Sequence, residues 1–364
     1  VPRPLALLLA GAALAAAAPS AYARPIIAVQ DDRLTTWSAE RAPARAALIA
    51  STGVRWTRVD VHWPEIAPRR PRAPRDPADP AYRWERLDGV MRALQARGIR
   101  VLVSIHRSPR WANGGRSPQY APNPHHYAAF VAAVGRRYSG RYVADGRRLP
   151  RIGHFEIWNE PNIAMFLRPQ WTREPARGGR PARWTPASPR LYARMLRLAT
   201  ASLRAVRPDA LVIAGALAPT ATTRANVSVG VEDFIRGMHP YRPPVRAASQ
   251  HIYPGAPPGR SRALPSEHGV PRIRALWRSL AGRAVPLYIT ETGYTSAHTP
   301  YRDYRVTRRQ QAAYLAPLLR GLAQPGVRMV VWYNLQDHDL WPAGLLDERG
   351  RRKPSWAAFR RAVR

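Results

Sequence analysis

The chain of 364 residues contains no cysteine. It therefore holds no disulfide, no thiol nucleophile and no thiolate-bound metal. A core of barrel size needs no cross-links, so this absence does not count against export. Lysine is almost missing as well: Lys353 is the single one among 58 basic residues, and the rest are arginine. The net charge of +35 is thus spread along the chain. A nucleic-acid site would instead gather its charge in a basic patch with interleaved aromatics, so no nucleic-acid partner is expected. A weaker consequence is that the basic surface favours an anionic polysaccharide. Beyond the N-terminal segment no apolar run approaches a membrane span. No Gly-x-Gly-x-x-Gly follows an early strand, which removes support for a dinucleotide fold, and no Gly-x-Ser-x-Gly elbow is present. His125-His126 lacks a third ligand at metal-site spacing, and no sequence repeat of fixed period occurs.

What is present divides into a leader and one large domain. Arg3 precedes an apolar run over residues 5–18, and Ala21-Tyr22-Ala23 offers a small-x-small cleavage site. Residues 1–23 read as a secretory signal peptide, leaving a mature domain at 24–364 that is secreted and monomeric. Short apolar runs at 26–30, 56–60, 101–106, 154–158, 211–216, 248–252, 287–291 and 329–333 have the length of strands buried on both faces. Helical patterns separate them. Leu87, Val90, Met91 and Leu94 share a face before Gly98. Ser188-Pro189 reads as an N-cap ahead of Leu191, Met195, Leu198 and Leu203. Ile273, Leu276, Trp277 and Leu280 form a further stripe, and 311–322 a further helix. Eight strands alternating with helices predict a single-domain (β/α)8 TIM barrel. The proline- and arginine-rich segments 64–80 and 174–189 follow strands and read as long loops on the active face. Asn226-Val227-Ser228 matches a glycosylation acceptor, with nothing else to support its use.

In such a barrel the polar residues at the carboxyl ends of strands are the functional candidates. The second strand carries Arg58, with Trp63 beyond it, and the third ends in His106. The fourth gives Trp158-Asn159-Glu160-Pro161-Asn162 and the sixth His251-Ile252-Tyr253. The seventh ends in Glu291 and the eighth in Trp332-Tyr333-Asn334. Two glutamates delivered to opposite strand ends suit glycosidic cleavage with retention, which needs a proton donor and a carboxylate nucleophile about 5–5.5 Å apart.

This ordered set resembles the clan of retaining (β/α)8 glycoside hydrolases that includes the family 5 cellulases and the family 39 glycosidases. The resemblance covers nearly the whole mature chain. It implies that Glu160, following Asn159, is the general acid/base and Glu291 the nucleophile. It further implies sugar-site roles for Arg58, Trp63, His106, His251, Tyr253 and Trp332. Physical reasons fit these roles. Asn159 suits the sugar 2-hydroxyl, and Arg58 with Tyr253 would keep Glu291 ionised. The charge on Glu291 would then keep Glu160 protonated. Trp332 offers a flat platform for a pyranose, and Trp63, Trp111, Trp171, Tyr294 and Trp341 are candidates for outer subsites. Two carboxylates need no cofactor and no metal. The partner is a β-linked poly- or oligosaccharide, acidic if the surface charge has a role. β-Glucanase, β-mannanase, β-xylosidase and exopolysaccharide hydrolase activities all stay open. A transglycosylase using the same site and a non-catalytic glycan-binding barrel are the alternatives.

Overall fold

A computed structural model describes residues 24–36, 39–176, 182–220, 223 and 227–364. The leader at 1–23, part of the 174–189 segment and Asn226 of the acceptor site lie outside the described residues. Eight parallel strands close into a barrel: β1 (Ile26–Gln30), β2 (Trp56–His62), β3 (Arg100–His106), β4 (His154–Ile157), β5 (Leu211–Leu217), β6 (Ala247–Ile252), β7 (Leu287–Thr292) and β8 (Val327–Trp332). Each strand pairs with its sequence neighbours, and β1 closes the ring against β8. The main helices alternate with them: α1 (Ala42–Ser51), α2 (Glu85–Ala96), α3 (Pro124–Arg137), α4 (Ser188–Val206), α5 (Val231–Met238), α6 (Val270–Ala281), α7 (Arg308–Leu322) and α8 (Pro354–Val363). This is the single-domain (β/α)8 barrel that the alternation predicts. Among the described residues no helix is long and apolar enough to cross a membrane.

Two hydrophobic layers follow from the two-residue period of the strands. Ala28, Leu102, Ile213, Ala247, Tyr288, Met329 and Val331 fill the barrel interior. Their neighbours, such as Val29, Val103, Ala248, Ile289 and Val330, face the helices. Stepping up each strand by two from the inner layer leads from apolar to polar side chains: Ala28 to Gln30, Leu102 to Ser104 and His106, Ala247 to Ser249 and His251. The upper barrel is therefore a polar basin standing on an apolar plug. On β5, Gly215 (φ 117°) lets β6 come close, since a Cβ there would lie 2.4 Å from the Ser249 carbonyl oxygen.

Local details depart from the sequence reading at two places. Ser188 is the first residue of α4 rather than its cap, and its hydroxyl donates to Gln170 Oε1 at 2.9 Å. The segment expected as a loop from 174 carries a β-hairpin, in which Trp171–Glu174 pairs antiparallel with Arg183–Pro186. None of its strand residues is fully buried, unlike those of the barrel strands. The helix α7 begins with a capping box between Thr307 and Gln310, as its sequence allows.

Candidate active site

Arg58 sits on β2 with none of its surface exposed. A guanidinium has five N–H donors, and here all five are used. Nε donates to Glu156 Oε2 at 2.8 Å, and Nη1 donates to Gln30 Oε1 at 2.8 Å and to Glu291 Oε1 at 3.0 Å. Nη2 donates to Ser104 Oγ at 2.9 Å and to Asn159 Oδ1 at 2.7 Å. Asp60 adds an ion pair, 3.2 Å from Nη1. Burial works against the charge on Arg58, but Glu156, Asp60 and Glu291 outweigh it and hold its pKa above the ordinary value.

The two glutamates of the sequence reading are brought together. Glu160, His251 and Glu291 present ligand atoms that all lie within 4.8 Å of one another. His251 Nδ1 stands between the carboxylates, 2.9 Å from Glu160 Oε1 and 3.4 Å from Glu291 Oε2. The Tyr253 hydroxyl donates to Glu291 Oε2 at 2.7 Å. Regular alternation would turn Glu291 toward the helices, because Ile289 already faces them. A shift in register between β6 and β7, where Gln250 pairs with Ile289 but His251 with Glu291, inserts one residue and aims the glutamate inward. On the opposite strand, Trp158 (φ 70°) and Glu160 (φ 41°) adopt left-handed backbone conformations, which bulky residues avoid without compensating contacts. Asn162 supplies such contacts. It donates to the carbonyls of Ala218 and Val229 and accepts from the Ala218 amide at 2.7 Å, tying the turn after Glu160 to β5.

Electrostatics separate the two carboxyls. Burial lifts Glu160 from 4.5 to about 8; Arg58 opposes the rise and Asp60 adds to it. Burial also lifts Glu291, to about 7, but His251, Arg58 and the Tyr253 hydrogen bond hold it lower. Burial raises both carboxyls, Glu160 the more, and it rather than the charge of Glu291 is the leading cause at Glu160. Burial depresses His251, while the charge of Glu291 opposes that fall.

The other expected residues divide. Asn159 is 5% exposed, and with its oxygen held by Arg58 its amide donors have no partner among the described residues. His106 is buried with its Nε2 3.7 Å from Asp60 Oδ1, and burial lowers its pKa to about 4. Trp332 is not at the mouth. Val331 faces the barrel interior, so Trp332 points to the helices, fully buried near Phe359 with its Nε1 donating to the Ala343 carbonyl at 3.1 Å. The aromatic ring that does face the site is the next one, Tyr333, whose hydroxyl donates to Asp32 Oδ2 at 2.5 Å. Trp63 is likewise fully buried, stacked on Phe130 at 5.3 Å. Tyr294 is buried, and Trp111 and Trp171 anchor loops through bonds to the Ala67 and Ser228 carbonyls. Of that group only Trp341 stands at the site, edge-on to Tyr253 at 4.7 Å. Gln30, Asp60, Ser104, Glu156 and Tyr333 were not singled out, although each is one two-residue step from a residue that was, or from the inner apolar layer.

Among the described residues two sets of side chains have metal-ligand chemistry, Glu160–His251–Glu291 and Asp60–His62–His106. Each has the Arg58 guanidinium at its carboxylate, 3.0 Å from Glu291 and 3.2 Å from Asp60. The counter-charge that a metal would bring is thus already supplied.

A parallel barrel with a protonated and an ionisable carboxyl facing each other at its carboxyl-terminal mouth defines a class, the barrel glycosidases. Residues 27–338 match the family model described as Cellulase (glycosyl hydrolase family 5). The chain belongs to this family, and as an enzyme it is a glycosidase acting on O-glycosyl compounds. No curated protein matches it in sequence. Among solved structures it resembles a monomeric β-xylosidase from Caulobacter crescentus CB15, at 20% identity and a TM-score of 0.63 over 93% of this chain and 69% of that one. A subfamily 18 member of glycoside hydrolase family 5 from Streptomyces cattleya, solved with GlcNAc, aligns at 16% identity and a TM-score of 0.63 over 94% and 80%. A family 39 glycoside hydrolase from Bacteroides cellulosilyticus WH2 aligns at 19% identity with a TM-score of 0.60. There the match covers 93% of this chain but only 64% of that enzyme.

Two measurements follow from this geometry. Arg58→Leu leaves Glu156, Asp60 and Glu291 buried without their cation, so urea unfolding is expected to show a loss of about 3–5 kcal/mol. A loss below about 1 kcal/mol would mean that water replaces the guanidinium. The second concerns pH. Both glutamates ionise near 4.5 when unfolded but near 8 and 7 when folded. The folded protein binds more protons in that window, so its stability falls as pH rises from about 4.5 to 8. Glu160→Gln is expected to flatten the last part of that fall, read as the urea midpoint between pH 7 and 8.

Proposed function

We propose that the chain hydrolyses a β-linked poly- or oligosaccharide by double displacement with retention of configuration. Glu160 acts as general acid and then base, and Glu291 as nucleophile. The observation that carries this reading is the spacing: an oxygen of each carboxyl lies within 4.8 Å of one on the other, which fits the short separation of a retaining pair better than the wider one of an inverting pair. Glu291 attacks the anomeric carbon while Glu160 protonates the departing oxygen. The glycosyl–Glu291 ester neutralises the nucleophile, Glu160 takes a proton from water, and that water releases the sugar. Arg58, Tyr253 and His251 orient Glu291 and oppose its protonation, and the free amide of Asn159 suits the 2-hydroxyl of the reacting ring. The same residues serve a transglycosylase, in which a sugar hydroxyl replaces the water.

Reducing-end release by the purified chain on a panel of neutral and acidic β-glycans tests this, with Glu291→Ala beside it. Release is expected from the wild type and a loss of at least about 10³-fold in the variant. The profile of kcat/KM against pH is expected to be bell-shaped, because Glu291 must be ionised and Glu160 protonated. Its alkaline limb should vanish in Glu160→Gln with an aryl glycoside whose leaving group needs no acid. Glycan binding without release by either protein would leave a binding barrel instead.

Export completes the proposal: residues 1–23 act as a cleaved signal, and the enzyme works as a monomer outside the cytoplasm. The intact mass of protein recovered outside the cell is expected to place the N-terminus at Arg24. A mass that retains residues 1–23 would count against it.

A further inference from the structure

Beside the two glutamates the barrel mouth carries a second pair of carboxylates. Asp32 follows β1 and Asp60 lies on β2, and the Gln30 amide donates to both, at 2.9 Å to Asp32 Oδ1 and 3.2 Å to Asp60 Oδ2. Their side chains remain 27% and 17% exposed, so both can reach a ligand. Asp60 Oδ1 is buried against Arg58 Nη1 at 3.2 Å and His106 Nε2 at 3.7 Å, whereas His106 Nδ1 is buried with no hydrogen bond among the described residues. Buried polar atoms of that kind need partners, and sugar hydroxyls, each donor and acceptor, supply them. Arg58 Nη1 joins Asp60, at 3.2 Å, to Glu291, at 3.0 Å, and Gln30, bonded to the same nitrogen, ties in Asp32, so this pair borders the reacting carboxyls. A small pocket of about 110 Å³ lies beside Asp60 and His62.

We infer that Asp32 and Asp60 bind hydroxyls of the sugar ring on the glycone side of the scissile bond, and that they select an uncharged ring over a uronic acid. The inference rests on the hydrolase reading above, in which the acid Glu160 faces the departing group and the retained ring lies toward Glu291 and Arg58. Five carboxyl groups, Asp32, Asp60, Glu156, Glu160 and Glu291, surround this space. Arg58 has no donor left for a sixth, and Arg86 is paired with Glu65. Arg83, which lines the pocket beside Asp60, and Arg107, just past β3, are the exceptions: neither has a carboxylate partner among the described residues, and the charge of Arg107 reaches His62 and His106. The basic exterior draws anionic polymers toward the protein, but the pocket has the opposite sign.

The test compares kcat/KM of the full chain on nitrophenyl β-glucoside, β-xyloside and β-mannoside with that on nitrophenyl β-glucuronide. Each glycoside is also titrated calorimetrically into Glu291→Gln, which lacks the nucleophile, so that binding is read with turnover suppressed. The best neutral glycoside is expected to exceed the glucuronide by about a hundredfold or more, and Asp32→Asn to narrow the gap about tenfold through the glucuronide KM. Equal or better use of the glucuronide, or a gap that Asp32→Asn leaves in place, overturns the inference. A glucuronide preference that Arg107→Gln abolishes overturns it in favour of anion recognition. Neutral glycosides bound in preference but never cleaved would support the inference while sinking the hydrolase reading.

Discussion

A guanidinium with no exposed surface has to find acceptors for five N–H groups in fixed directions, and Arg58 finds them on four strands and one turn. Gln30, Ser104, Glu156, Asn159 and Glu291 come from β1, β3, β4, the turn after β4, and β7. Each bond is local, but together they pin the heights and rotations of strands around half the barrel mouth. The cost of burying the cation is met by Glu156, Asp60 and Glu291, and the cost of burying those carboxylates is met by the cation. Neither half is stable alone. The arrangement therefore sets both the geometry of the mouth and the ionisation state of the nucleophile.

Charge is distributed on two scales. Over the whole chain the balance is +35, carried almost wholly by arginine. Within the mouth the sign reverses, with five carboxyls around one guanidinium whose donors are all engaged. Long-range attraction acts on the first scale and short-range recognition on the second, because screening removes distant surface charges while a low-dielectric pocket does not. What the exterior attracts need not be what the pocket accepts.

Much of the fold could be read before any coordinates. The eight strands lie within a few residues of where short apolar runs place them, because strands buried on both faces leave few other sequences possible. The ends of the strands were legible as well, since polar residues following apolar runs stand out. The direction of side chains was not read with equal care. Trp332 and Tyr333 are adjacent, and the two-residue period from Met329 and Val331 assigns Tyr333 to the mouth and Trp332 to the helices. The opposite assignment came from the resemblance, which matched Trp332 to the family's strand-eight tryptophan. The hairpin at Trp171–Glu174 and Arg183–Pro186 was read as a loop because its residues are arginine-rich and half-exposed, with no apolar stripe to reveal it.

The sequence by itself determined the barrel, the two glutamates and the order of the polar residues around them, since each of these depends on local pattern along the chain. The partners of Arg58, the inward turn of Glu291 and the pairing of Asp32 with Asp60 were decided by tertiary structure alone. They depend on a one-residue register shift between β6 and β7 and on side chains 28 to 233 positions apart meeting in space. No local pattern encodes such distances. They arise only when the sheet closes and excludes water, which is also what lifts Glu160 and Glu291 out of the ordinary carboxylate range.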